Sequence, residues 1–309
     1  MDEFGIIARY FAPLAGEGAF ALADDAALVP PRPGHDLLVT TDAIAEGTDF
    51  FAFDPASAIA RKALRVNLSD LAAKGAEPAY YLLNLALPPS VTAAWLEDFA
   101  GGLAADQREF GVALLGGDTS RTEGPLSIAI TAFGFVPEGR VVRRDGARAG
   151  DDIYVTGTIG DSGGGLAIFR REKHSLSEQD RDALIQRYRV PLPPVGFAPR
   201  LRAIAHAAID ISDGLVADLG HVAAASGVKL VIEGEALPLS APLKALWGDK
   251  AILRAATAGD DYQIAFTAPP GLAGPFTRIG HVTAGAGEGM EFQLDGAPVD
   301  VPRPGYRHF

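Results

Sequence analysis

The sequence contains no cysteine. That excludes disulfides, zinc–thiolate and iron–sulfur centres and a thiol nucleophile, and it reads as a cytoplasmic setting. Cationic side chains are in deficit: 27 Lys and Arg stand against 39 Asp and Glu, a formal charge of −12 over 309 residues. Coating nucleic acid needs clustered cations, so nucleic acid is not an expected partner, while handling anions through bound metal cations stays open. Long apolar runs are missing too. Tyr80–Leu87 and Ile128–Val136 fall well short of the ~18–20 residues that span a bilayer. The start, MDEFGIIARYFAPLAGE, lacks the basic region of a signal peptide. Familiar site motifs are absent as well: no Lys precedes Ser or Thr, and no G-x-G-x-x-G, H-R-D or H-E-x-x-H occurs, which removes the Walker A, dinucleotide, protein-kinase and zincin signatures.

What is present is a folded globular composition, 48% apolar and 21% charged, at a length that suits two domains. A β-rich stretch, Leu37–Thr41, ends in Asp42. Asp54-Pro55 caps and starts a helix that Gly75 and Pro78 end, by the usual start and stop signals. A second helix is expected over Ser90–Gly111, then a short strand at Val112–Leu115 running into Gly116-Gly117-Asp118, and a strand at Ser127–Val136. The polar stretch Pro137–Asp152 reads as a junction, giving domains at 1–137 and 150–309. The second cycle has strands at Ile153–Thr156, Val228–Ile232 and Ile264–Thr267, a Gly-rich turn at Thr158–Gly165, helices at Ser177–Tyr188 and about Ser212–Ala225, and a Pro-rich connector at Pro191–Pro199. The pattern implies an α/β fold (α+β, mixed sheets) in two related domains.

The aspartates stand out by position. Asp24, Asp25, Asp42, Asp70, Asp118, Asp210, Asp213, Asp260 and Asp261 each sit in apolar or Gly-rich sequence and not in a charged run. One such residue alone reads as a cap or turn former. Several together read as paired, protonated or metal-bound carboxylates, because burying an unpaired one is costly. Asn67, Asp70 and Lys74 form a polar helical stripe beside Leu64, Leu68 and Leu71, either a solvated face or a site-facing one. Carboxylates with Thr hydroxyls are hard oxygen donors suited to Mg2+. Gly116–Thr119 and Thr156–Gly165 are Gly-rich turns whose N–H groups could meet phosphate, and Arg143 and Arg144 are either phosphate contacts or a solvated pair.

Taken in order, Asp24-Asp25-Ala26-Ala27-Leu28, Thr40-Thr41-Asp42, Val66–Gly75, Gly116–Thr119, Tyr154–Gly157 and Asp210–Leu215 resemble the motifs of the thiamine-monophosphate kinase family, within the aminoimidazole-ribotide-synthetase-like superfamily. The resemblance runs from Phe4-Gly5-Ile6-Ile7 to Gly305-Tyr306-Arg307-His308-Phe309. It implies an N-terminal dimerising α/β domain, a C-terminal three-layer α/β domain, and a homodimer with ATP and several Mg2+ held between the domains. By position it implies metal ligands at Asp25, Thr40, Thr41, Asp42, Asp70, Asp118, Asp210 and Asp213, with Asp70, Asp210 and Asp213 central to catalysis. Nucleotide contacts would come from Gly117, Asp118, Arg144 and Ser212, and thiamine-end contacts from Asp49, Asp260 and Tyr306. The chain departs from the family pattern at Ala23, where Gly is usual, at Asp49, where His is common, and at Asp260 and Gln263, where Glu is usual.

The implied reaction moves the γ-phosphoryl of ATP onto the phosphate of thiamine monophosphate. An anionic phosphate nucleophile needs no strong base; the difficulty is charge repulsion, which bound Mg2+ relieves. Superfamily members that depend on a reactive cysteine are poor matches to a chain without one. A ribotide-synthetase-type enzyme and a catalytically silent nucleotide and Mg2+ sensor are the alternatives.

Overall fold

The computed structural model describes residues 3–283 and 289–307. His308 and Phe309 of the C-terminal motif lie outside the described residues. The chain divides into two compact units, Met1–Leu71 with Ala76–Arg140, and Ala72–Gly75 with Val141–Phe309.

The first unit opens with a short helix, α1 (Glu3–Ile6), and continues with β1 (His35–Ala45), α2 (Ala56–Ala73), β2 (Glu77–Leu87), α3 (Ala93–Phe110), β3 (Ala113–Arg121) and β4 (Ser127–Pro137). Its mixed sheet has the order β1-β4-β2-β3, with only β2 and β3 parallel. Leu64, Leu68 and Leu71 of α2 and Leu96, Phe99 and Leu103 of α3 are buried, as are Leu83, Leu85, Ile128 and Ile130 of the strands. Thr92 caps α3 by accepting from Trp95 N–H, and Gly111 ends it in the left-handed conformation. A wholly buried ion pair joins the two helices: Arg65 donates to both carboxylate oxygens of Asp106, each at 2.8 Å.

Two expectations change here. Asp42 lies inside β1 and not at its end, because the strand runs on through Ala45. Gly116–Thr119 is no turn: it is strand, parallel to β2. Gly117 is what permits this. Its φ is +153°, and a Cβ there would sit 1.8 Å from the Leu83 carbonyl oxygen, so only glycine lets the two backbones approach so closely.

The second unit contains β5 (Asp152–Thr156), α4 (Asp161–Phe169), α5 (Glu178–Arg189), α6 (Ala198–Ile204), β6 (Ala207–Asp210), α7 (Leu215–Ser226), β7 (Lys229–Glu233), α8 (Ala241–Trp247), α9 (Ala251–Thr257), β8 (Ile264–Ala268), β9 (Phe276–Thr283), β10 (Gly289–Leu294) and β11 (Ala297–Val299). The sheet order is β11-β10-β7-β9-β5-β8-β6, antiparallel except for β7 with β10. Alternate strand residues feed two cores. Ile153, Val155, Ile209 and Ala265 pack with α4, α5, α7, α8 and α9. Tyr154, Ala208, Phe266 and Ala268 pack with Phe197, Leu201 and the end of α2. A sheet covered on both faces makes this unit three-layered. The Pro-rich connector runs into α6 at its last two residues, and Gly163–Gly165 fall inside α4.

Candidate functional site

In the first unit the polar stripe of α2 faces β1. Asn67 is fully buried, and its side-chain oxygen accepts from Asp42 N–H at 3.0 Å. The Thr40 hydroxyl donates to Asp70 Oδ2 at 2.5 Å. Strand alternation puts Thr40 and Asp42 on this side, whereas the Thr41 hydroxyl donates to the Ile130 carbonyl and accepts from Thr131, each at 3.1 Å. The structure therefore brings Thr40, Asp42 and Asp70 together and turns the Thr41 hydroxyl to the other face. Partial burial, then the charges of Asp70 and Asp49, push the Asp42 carboxyl up to about 6. Asp49 is held on the loop after β1: Ala45 N–H donates to its carboxylate, and Lys62 Nζ donates to its carbonyl, both at 2.8 Å.

Asp24, Asp25 and Asp118 line a separate cavity of about 390 Å3 in the same unit, with Gly117, Asn84, Leu22 and Phe11. Its lining is mixed, with Ile7, Leu82, Leu114 and Leu115 beside the carboxylates and the strand glycines.

The second unit gathers residues that are far apart in sequence. β6 ends at the buried Asp210, and the loop to α7 carries Ser212 and Asp213. Two other turns lean on that loop through backbone hydrogen bonds: Asp260 N–H to Ser212 C=O at 2.8 Å, Tyr262 N–H to Ile211 C=O at 2.7 Å, and Tyr306 N–H to Asp213 C=O at 2.9 Å. Asp210, Ser212, Asp213, Asp260 and Tyr306 thus share one loop cluster. Arg144 is exposed on the segment before β5, its carbonyl accepting from Ser226. Arg143 pairs instead with Asp145 at 2.8 Å. Lys74 Nζ donates to the Ala208 carbonyl at 2.8 Å.

Sequence reasoning missed Asp218. Its carboxylate accepts from Ser212, Asp213 and Gly214 N–H, each at 3.1 Å, and so shapes the loop from inside. Burial foremost, and the Asp213 charge, push it up to about 7 against the pull of those N–H groups. The available signal was an acid in the first turn after Asp213-Gly214, where free N–H groups collect. The Gly-rich turn before α4 also differs from expectation: Gly160 N–H is taken by the protein's own Asp261 carboxylate.

Residues 23–136 match the family described as AIR synthase related protein, N-terminal domain, and residues 148–293 match its C-terminal domain. A relative from Salmonella typhimurium, named thiamine-monophosphate kinase, is 42% identical over 99% of this chain and 98% of its own. The chain belongs to the thiamine-monophosphate kinase family. Its fold agrees with solved members of that family. The thiamine-monophosphate kinase from Stenotrophomonas maltophilia K279a superposes with a TM-score of 0.81 at 42% identity, covering 90% of this chain and 91% of that one. A structure described as AaThiL complexed with AMPPCP and TMP gives 0.82 at 36% identity, covering 99% and 97%.

Proposed function

We propose that this chain transfers the γ-phosphoryl group of ATP to the phosphate of thiamine monophosphate, giving thiamine diphosphate, as a cytoplasmic, Mg2+-dependent homodimer. The observation that carries this reading is the Thr40–Asp42–Asp70 cluster, where carboxylates crowd one another with hard oxygen donors beside them. Among the described residues no group of three or more His, Cys, Asp or Glu is spaced to hold a metal alone. The donors present, carboxylates with the Thr40 hydroxyl beside them, suit Mg2+, which takes one or two carboxylates and completes its shell with water and substrate phosphate. Within the first unit Asp25, Thr40, Asp42, Asp70 and Asp118 are the candidate ligands, the Thr41 hydroxyl facing away from Asp42 and Asp70; within the second they are Asp210 and Asp213. Held by these residues, Mg2+ would supply neutralisation of the phosphate charge.

The protein's own groups position the reactants. Gly117, Asp118, Ser212 and Arg144 meet the nucleotide, and Asp49, Asp260 and Tyr306 meet the thiamine end. Asp260 keeps a carboxylate where Glu is usual, and Asp49 puts a carboxylate where His is common. The dimer reading rests on the sheet face turned away from α2 and α3. Leu37 and Val39 are 45% and 57% exposed there, beside Phe133 and Tyr80 in register, and a face of this kind is ordinarily covered by a second subunit.

The test is formation of ADP and thiamine diphosphate from Mg-ATP and thiamine monophosphate, with thiamine and aminoimidazole precursors as controls. Turnover only with thiamine monophosphate is expected. Binding of both ligands without turnover would make the chain a sensor.

A further inference from the structure

The turn that carries Asp260 is held in an unfavourable backbone. Asp260 and Tyr262 both have positive φ, +67° and +51°, the left-handed region that residues with a Cβ adopt only at a cost. Asp261, between them, points the other way, into the protein. It is only 2% exposed, and its Oδ2 accepts from Gly160 N–H at 2.6 Å, immediately before α4. Its other oxygen, Oδ1, has no hydrogen-bond partner. A buried carboxyl with an unsatisfied oxygen is expensive. The chain bears that cost where it also bears the backbone strain.

The two costs have one explanation. We propose that Asp261 is a positioning residue for the substrate end of the site: its carboxyl ties the turn presenting Asp260 to the start of α4. This rests on the reading of Asp260 as a substrate contact. The backbone bonds to Ile211 and Ser212 fix one side of the turn, and the Asp261–Gly160 bond fixes the other. Close packing supports the tie, since a Cβ on Gly163 would lie 2.5 Å from Ala258 Cβ. Burial foremost, together with the Asp161 charge, pushes the Asp261 carboxyl up to about 8. An asparagine, neutral and of the same shape, therefore keeps the tie, and alanine removes it.

The experiment compares Asp261→Ala and Asp261→Asn by steady-state kinetics. In Asp261→Ala, KM for thiamine monophosphate rises about tenfold while KM for ATP stays within about twofold; in Asp261→Asn both stay within about threefold. An Asp261→Ala enzyme with unchanged KM for thiamine monophosphate, or with equal losses for both substrates, overturns the proposal. Hydrogen exchange of the Gly160 amide in the wild-type chain tests the tie with no variant and no turnover. Slow exchange supports it, and exchange at the rate of an open loop overturns it. A chain that made no thiamine diphosphate but protected Gly160 would remove the substrate reading and leave the tie standing.

Discussion

Asp42 and Asp70 repel each other, and their worth depends on what lies beside them. Without a cation, Asp42 ionises only as pH rises through about 6. A carboxyl raised in the folded state stabilises the fold below its ordinary range, and that contribution is lost between about pH 4 and 6. Asp42→Asn should therefore stabilise the metal-free protein above pH 6, by about 1 kcal/mol once solvent screening is allowed for. The same variant should abolish most turnover, and thermal melts with and without Mg2+ check both halves. Asp70→Asn keeps shape and removes charge; we expect kcat to fall by at least about a hundredfold with an unchanged fold by circular dichroism. Near-normal turnover would remove Asp70 from the metal shell. Asp261 titrates in the same direction, facing Asp161 and Arg187. Its contribution to stability is lost as pH climbs from about 4 to about 8, so Asp261→Asn should gain on the wild type in melting temperature across that range and keep the gain above it.

At the scale of elements, what was legible depended on whether a residue advertised itself. The two long helices did: Leu64, Leu68 and Leu71 gave one stripe, and Gly111 a stop. β3 did not, because Gly116-Gly117 carries the signature of a turn while serving close strand pairing. Gly117→Ala would force a Cβ into the Leu83 carbonyl and should cost about 2–4 kcal/mol, seen as a lower denaturant midpoint with the β2–β3 amides exchanging first. α8 and α9 span only Ala241–Trp247 and Ala251–Thr257, each too short to display a helical period. The candidate site was readable where carboxylates interrupted apolar sequence. Asp218 was not, since its partners are backbone N–H groups, which leave no mark on composition; Asp261 stood out among the aspartates, but its bond to Gly160 N–H did not. The Arg65–Asp106 pair was hidden for another reason, being 41 residues apart in sequence.

For the whole molecule, the deficit of cations that speaks against nucleic acid acquires a location. Of the −12 formal charge, a good part sits on the aspartates proposed to hold Mg2+, where phosphate-bound cations would offset it. The absence of a thiol nucleophile fits a reaction whose nucleophile is a substrate phosphate. In the proposed reaction the γ-phosphoryl group moves intact onto thiamine monophosphate. Phosphorus NMR of the purified protein with Mg-ATP and thiamine monophosphate tests it most directly. The paired resonances of thiamine diphosphate should grow in step with ADP, without free phosphate. Inorganic phosphate appearing in place of thiamine diphosphate, or an unchanged spectrum with both ligands bound, would contradict it.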